Sequence, residues 1–226
     1  MIFFHLLLKF KLLRFKLLRF KRLTLSLISL CFVACSLPVL ADNPKILVYG
    51  DSLSAVYGVA QAQGWPALLQ NKLNEKNQRY DVINASISGE TTSGGLSRLA
   101  TTLVEFKPNI IILELGANDG LRGLPVQEMA KNLDAMIMLS KKNKAQIVLI
   151  GMRIPPNYGP KYSSEFRQTY TKLSQQHKVT LVPFMLENVA TNPKFTQDDG
   201  LHPNSLAQPL ILENIWPKLH GLLNSI

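Results

Sequence analysis

A chain of 226 residues, 46% of them apolar, is long enough for one domain with a sizeable buried core and too apolar for a disordered one. Its formal charge of +10 suggests a nucleic-acid partner until the basic residues are located: Lys9, Lys11, Arg14, Lys16, Arg19, Lys21 and Arg22 all lie in the first 41 residues, which hold no acid. Residues 42–226 carry the remaining 18 Lys/Arg against 15 Asp/Glu, a net +3 without a concentrated basic patch, which excludes nucleic-acid binding as the function.

Residues 1–41 read as a secretory signal peptide. A positive n-region containing the repeat Lys-Leu-Leu-Arg-Phe (11–15 and 16–20) leads into a mainly apolar run from Leu23 to Ala34 and then to Pro38-Val39-Leu40-Ala41. Val39 and Ala41 are small residues at the −3 and −1 positions of a cut after Ala41. The apolar run is shorter than the roughly 20 residues a spanning helix needs, which favours removal. The expected location is periplasmic or secreted. The alternatives are anchoring by an uncleaved leader and lipidation at Cys35 in Phe32-Val33-Ala34-Cys35. Cys31 and Cys35 both fall in the leader, so the mature body has no thiol to pair or to react.

From residue 42 onward, short β-prone runs alternate with longer helical stretches. The first strand is predicted over Lys45–Tyr49 and runs into Gly50-Asp51-Ser52, so a buried strand ends by presenting a hydroxyl. Gly50 permits a sharp turn, and a loop leads to a helix predicted over Trp65–Lys76. A second strand, Asp81–Asn84, is followed by a turn through Ser88-Gly89-Glu90 and a helix over Ser93–Glu105. The third, Asn109–Glu114, precedes Gly116-Ala117-Asn118-Asp119-Gly120 and a helix over Val126–Lys142, in which Val126, Met129, Ala130, Leu133 and Ile137 recur at helical spacing. The fourth, Gln146–Gly151, leads to a stiff loop, Pro155–Pro160, and a helix over Ser163–Gln176. The fifth, Thr180–Val182, leads to Asp198-Asp199-Gly200-Leu201-His202-Pro203-Asn204 and a last helix over Leu206–Leu223.

The third and fourth strand runs are continuously apolar rather than alternating, as strands covered on both faces are. Strand–helix alternation of this kind gives a doubly wound parallel sheet with right-handed crossovers. The expected fold is a three-layer α/β/α, flavodoxin-like sandwich with a five-stranded parallel sheet.

In such a sheet, ligands bind at the carboxyl ends of the strands, which is where Ser52 stands. A serine hydroxyl needs a base within hydrogen-bond reach, itself oriented by a third group. Of the four histidines, His5 is in the leader, and His177 and His220 lie in polar helical stretches. That leaves His202, with Asp199 three residues before it able to bond Nδ1–H and leave Nε2 to accept the serine proton. Taken alone, the segment fits a capping Asp and an unrelated turn His equally well. Acyl transfer also needs preorganised donors for an oxyanion, and two further strand ends offer candidates in the backbone N–H of Gly89 and the carboxamide of Asn118.

Together, Gly50-Asp51-Ser52-Leu53, Gly89, Gly116-Ala117-Asn118-Asp119 and Asp199-x-x-His202 resemble, in order and spacing, the four blocks of the SGNH (GDSL) hydrolase family across nearly all of residues 45–220. Gly50–Ala55, Asn118–Gly123 and Asp198–Asn204 look like the secreted bacterial thioesterase I, lysophospholipase and arylesterase branch. The resemblance implies Ser52 as nucleophile, His202 as base and Asp199 rather than Asp198 as orienter. It also implies an oxyanion hole made by the N–H groups of Ser52 and Gly89 with the side chain of Asn118. It places Leu121, Leu124, Ile154 and Pro155 along an acyl channel. Ala117 departs from the glycine usual there, and Val56-Tyr57 stands where Gly-Tyr is common. The absence of a G-x-S-x-G elbow argues against the α/β-hydrolase fold.

The implied activity is hydrolysis of carboxylic esters and thioesters through an acyl-enzyme, with no cofactor and no metal. The expected partner is a small or lipid-like acyl ester or thioester, taken up by a monomer with transient contact to a membrane surface. Two alternatives remain: a carbohydrate or small-ester deacetylase on the same fold, and a non-enzymatic flavodoxin-like binding module.

Overall fold

Runs such as Ile110-Ile111-Ile112-Leu113 and Val148-Leu149-Ile150 bury every side chain, because helices cover the sheet on both sides. The computed structural model describes residues 42–190 and 192–223 together with Arg14, so the proposed cut after Ala41 and Cys35 lie outside the described residues. Five strands, β1 (Lys45–Gly50), β2 (Asp81–Asn84), β3 (Ile110–Glu114), β4 (Gln146–Ile150) and β5 (Thr180–Val182), form one sheet in the order β2-β1-β3-β4-β5. Every adjacent pair is parallel, with Ile46 beside Ile110 and Ile111 beside Ile147 in the central register.

Among the described residues of the body, six α-helices connect and flank the strands: α1 (Trp65–Glu75), α2 (Thr92–Phe106), α3 (Ala117–Leu121), α4 (Val126–Lys142), α5 (Pro160–His177) and α6 (Gln208–Leu223). Helices α2, α4 and α5 pack side by side as one layer, and α1 and α6 pack together as another. The chain leaves β1 toward one edge of the sheet and leaves β3 toward the other. The crevice between the carboxyl ends of β1 and β3 is therefore the topological switch point, where open α/β sheets bind their ligands.

Local chemistry sets the helix ends. The Thr91 hydroxyl accepts the N–H of Gly94 and caps α2, which stops at Lys107 in the left-handed region. Helix α5 starts at Pro160, three residues before its predicted start. Proline fits the first turn because its missing N–H would be unpaired there anyway, although it looks like loop in the sequence. The last helix begins later than predicted: Asn204 caps a single 3-10 turn over Ser205–Ala207, and α6 proper opens at Gln208. Helix α3, with only five residues, stands where the sequence suggests a tight turn.

Candidate active site

The nucleophile candidate is held by what happens at the end of β1. A β-carbon on Gly50 would sit 2.4 Å from Glu114 Oε2 and 2.8 Å from the Glu114 carbonyl, so only glycine lets β1 pass this close to β3. The buried carboxylate of Asp51 then accepts the N–H of Leu53 at 3.1 Å, an Asx-type turn that puts Ser52 at the apex.

The loop after β1 meets there the segment that follows β5. Ser52 Oγ lies 2.9 Å from His202 Nε2, and His202 Nδ1 lies 2.6 Å from Asp199 Oδ2. Asp199 Oδ1 also accepts the backbone N–H groups of Leu201 and His202, each at 2.9 Å. The hydrogen bond to His202 and these two N–H groups hold the Asp199 carboxyl down at about 2. With Nδ1 facing a carboxylate, the arrangement selects the tautomer whose Nε2 lone pair points at the serine. The ring of Tyr57, which is exposed, lies over the imidazole with 4.7 Å between centroids.

The two further donor candidates are joined by α3. Asn118 Nδ2 donates to Asp51 Oδ2 and to the Glu90 carbonyl, both at 3.1 Å, so its amide is fixed at the wall of the site. Asp119 on that helix and Arg122 just past its end hold the segment that carries Gly89 and opens α2. Arg122 donates to the Gly89 carbonyl at 2.9 Å, and buried Asp119 accepts both the N–H and the hydroxyl of Thr92. Gly89 has a φ of 79°, which a side chain would strain. The constraint beside Asn118 falls on Gly116: its φ is 117°, and a β-carbon there would lie 2.2 Å from the Tyr170 hydroxyl. Ala117 is the first residue of α3 and lines the site, so its methyl is accommodated.

Under Ser52 lies a carboxylate pair that sequence reasoning missed. Glu114 ends β3 fully buried, and its Oε2 accepts the Asp51 N–H at 3.2 Å and the Ser54 hydroxyl at 2.7 Å. Burial pushes Glu114 well above the usual carboxylate range, with the Asp51 charge adding to the rise, and burial raises Asp51 too. The available signal was an acid closing an otherwise apolar strand.

A cavity of about 360 Å³ opens beside Ser52 and takes in Gly89, Asn118 and His202. Leu121, Ile154 and Pro155 line it; Leu124 does not, its side chain being exposed while its carbonyl accepts the Tyr162 hydroxyl at 2.7 Å. Leu53, Met152, Arg153, Leu186 and Leu201 complete much of the wall, the last two from irregular chain after β5 that carries no periodic pattern. The other body histidines are elsewhere: His177 pairs with Asp134 at 2.7 Å, and His220 lies against Trp216. Among the described residues, no group of three or more His, Cys, Asp or Glu side chains is arranged to hold a metal ion.

A hydroxyl, an imidazole and a carboxylate in hydrogen-bonded series beside a largely apolar cavity define a hydrolase-type site. Residues 48–208 match the GDSL-like lipase/acylhydrolase family, and the chain belongs to that family of enzymes. It is 45% identical to the esterase TesA of Pseudomonas aeruginosa over 197 residues, covering 87% of this chain and 98% of that one. It is 41% identical to the thioesterase 1/protease 1/lysophospholipase L1 of Escherichia coli K12 over 184 residues, covering 81% and 87%. The crystal structure of the psychrotrophic esterase EstA from Pseudoalteromonas sp., inhibited by monoethylphosphonate, superposes with a TM-score of 0.77 at 43% identity over 80% of this chain and all of that one.

Proposed function

We propose that the chain is a serine hydrolase of carboxylic esters and thioesters, with Ser52 as nucleophile, His202 as general base and Asp199 as the group that orients the imidazole. The observation that carries this is the unbroken series Ser52 Oγ, His202 Nε2, His202 Nδ1 and Asp199 Oδ2, with links of 2.9 and 2.6 Å. Ser52 attacks the acyl carbonyl as its proton passes to Nε2. The tetrahedral oxyanion is met by the N–H groups of Ser52 and Gly89 and by one N–H of the Asn118 amide, which exchanges an acceptor it holds at rest for the oxyanion. Collapse expels the alcohol or thiol, which takes the proton from His202. Water activated by the same imidazole then frees the acid and restores the serine.

The substrate is an acyl chain of lipid-like length. Leu121, Ile154, Pro155 and Leu186 support this by giving the cavity beside Ser52 an apolar wall. Relatives named for esterase, thioesterase and lysophospholipase activity point the same way. The leader supports export to the periplasm or beyond, where a monomer would meet such substrates at a membrane surface.

The test is a fluorophosphonate probe with peptide mapping, run beside Ser52→Ala. Label on the Ser52 peptide of the parent alone is the expected result; an unlabelled parent removes the serine-hydrolase assignment. A p-nitrophenyl ester series then reads the acyl preference, and strict selection of acetyl would replace the fatty-acyl substrate with that of a small-ester or carbohydrate deacetylase.

A further inference from the structure

The nucleophile and the base lie 150 positions apart in the chain and on separate loops, so something must hold those loops in register. Gln197 touches both. Its Nε2 donates to the Tyr57 carbonyl at 2.7 Å, on the loop that follows Ser52, and to the Pro203 carbonyl at 2.9 Å, next to His202. Its backbone N–H donates to the His202 carbonyl at 2.8 Å, and its own carbonyl accepts the Gly200 N–H at 2.9 Å, closing the turn that contains Asp199. The side chain is also tightly seated: a β-carbon on Gly58 would lie 2.1 Å from Gln197 Oε1.

We propose that Gln197 is a positioning residue whose carboxamide staples the nucleophile loop to the base loop and thereby sets the Ser52–His202 distance. The proposal rests on the triad described above. It assigns Gln197 no contact with substrate: the residue does not line the cavity, and the acyl wall is built from other segments. A carboxamide suits the position because its NH2 group can serve two carbonyl acceptors at once. A carboxylate of the same shape would set an anion against both carbonyls.

The consequence is selective. A misplaced imidazole is penalised at both proton transfers of acylation, taking the proton from Ser52 and handing it to the leaving oxygen as the acyl C–O bond breaks. p-Nitrophenolate leaves as a stable anion and needs little of the second transfer, whereas an alkoxide needs all of it. Loss of the staple therefore harms alkyl esters more than p-nitrophenyl esters of the same acid.

The experiment measures kcat/KM, which reports acylation, for ethyl and p-nitrophenyl esters of one acid in the parent, Gln197→Ala and Gln197→Glu. The second variant keeps the shape of the side chain and covers the case in which the first does not fold. The expected loss is about 10-fold for the p-nitrophenyl ester and about 100-fold for the ethyl ester, the scale on which small displacements of catalytic groups act. Unchanged rates, or an equal loss for both esters, overturn the positioning role. Fluorophosphonate labelling separates the two levels: a parent that does not label at Ser52 refutes the triad itself, while a labelled parent with unaffected Gln197 variants refutes only the staple.

Discussion

Glu114 Oε2 and the Asp51 N–H are hydrogen-bonded at 3.2 Å, which ties the last residue of β3 to the residue before Ser52 through a carboxyl group with no solvent exposure. Burial raises the Glu114 proton affinity in the folded state, so the folded protein binds a proton that the unfolded chain, with an ordinary glutamate, releases at about pH 4.3. For a group raised in this way, the stability contribution is complete below the unfolded value and is lost as pH rises through the folded one. The urea midpoint of the parent therefore falls as pH rises above the ordinary glutamate range, and Glu114→Gln flattens that fall. Asp51, raised in the same direction, leaves a residual slope in the variant. Equal pH dependence in the two proteins would contradict a protonated Glu114.

Asp199 has the opposite sign. Held at about 2, it stays ionised through any working range, and its contribution is lost only as pH falls toward that value. Acidification instead stops turnover when the imidazole is protonated and Nε2 no longer has a lone pair for the serine proton. A kcat profile that falls on acidification is expected. A flat rate from neutral to mildly acid pH would exclude a histidine base.

Asn118→Ala removes the amide that faces the cavity and its bonds to Asp51 and Glu90. Turnover should drop by about 10²–10³, the usual effect of losing one oxyanion donor. The lost hydrogen bonds should cost about 1–2 kcal/mol of stability. Parent-like kcat in a folded Asn118→Ala protein would take this residue out of the oxyanion hole.

Ile154 lines the cavity and Leu124 is turned to solvent. Ile154→Ala should shift the p-nitrophenyl ester profile toward longer or bulkier acyl groups. Leu124→Ala should leave the profile in place and change stability by no more than about 0.5 kcal/mol. The reverse pattern would relocate the acyl channel.

Gly116 and Ala117 give a contrasting pair. Gly116→Ala forces a β-carbon into the left-handed region and against the Tyr170 hydroxyl, a loss of roughly 1–3 kcal/mol from backbone strain alone. Ala117→Gly creates no clash and should retain activity within a few-fold. Thermal melts and steady-state rates of the two variants would show whether the neighbouring positions differ in this way.

Much of this was legible in the sequence, because the signals were periodic or chemically sharp. The apolar runs of β3 and β4 disclosed a sheet covered on both faces, and Ser52, Asn118, Asp199 and His202 stood at strand ends in a recognisable order. The losses were of two physical kinds. Short elements carry too few residues for a period, so α3 looked like a turn, and Pro160 looked like a loop until its position in the first turn of α5 was seen. Contacts made by chance-looking residues in irregular chain leave no pattern at all: Gln197, Leu186 and Leu201 acquire their places only when distant loops close. Leu124 shows the converse, an apolar residue in a suggestive stretch whose neighbours line the cavity while its own side chain does not.

Two tyrosine hydroxyls fasten the chain that follows β3: Tyr158, after β4, donates to the Leu121 carbonyl at the end of α3 at 2.7 Å, and Tyr162, in the first turn of α5, donates to the Leu124 carbonyl between α3 and α4 at 2.7 Å. Because both acceptors are main-chain oxygens, the fastening does not depend on which side chains occupy 121 and 124. Side chains at these positions can thus change without loosening the frame that holds them, and the wall beside Leu121 can be reshaped while the Ser52–His202 geometry is left alone.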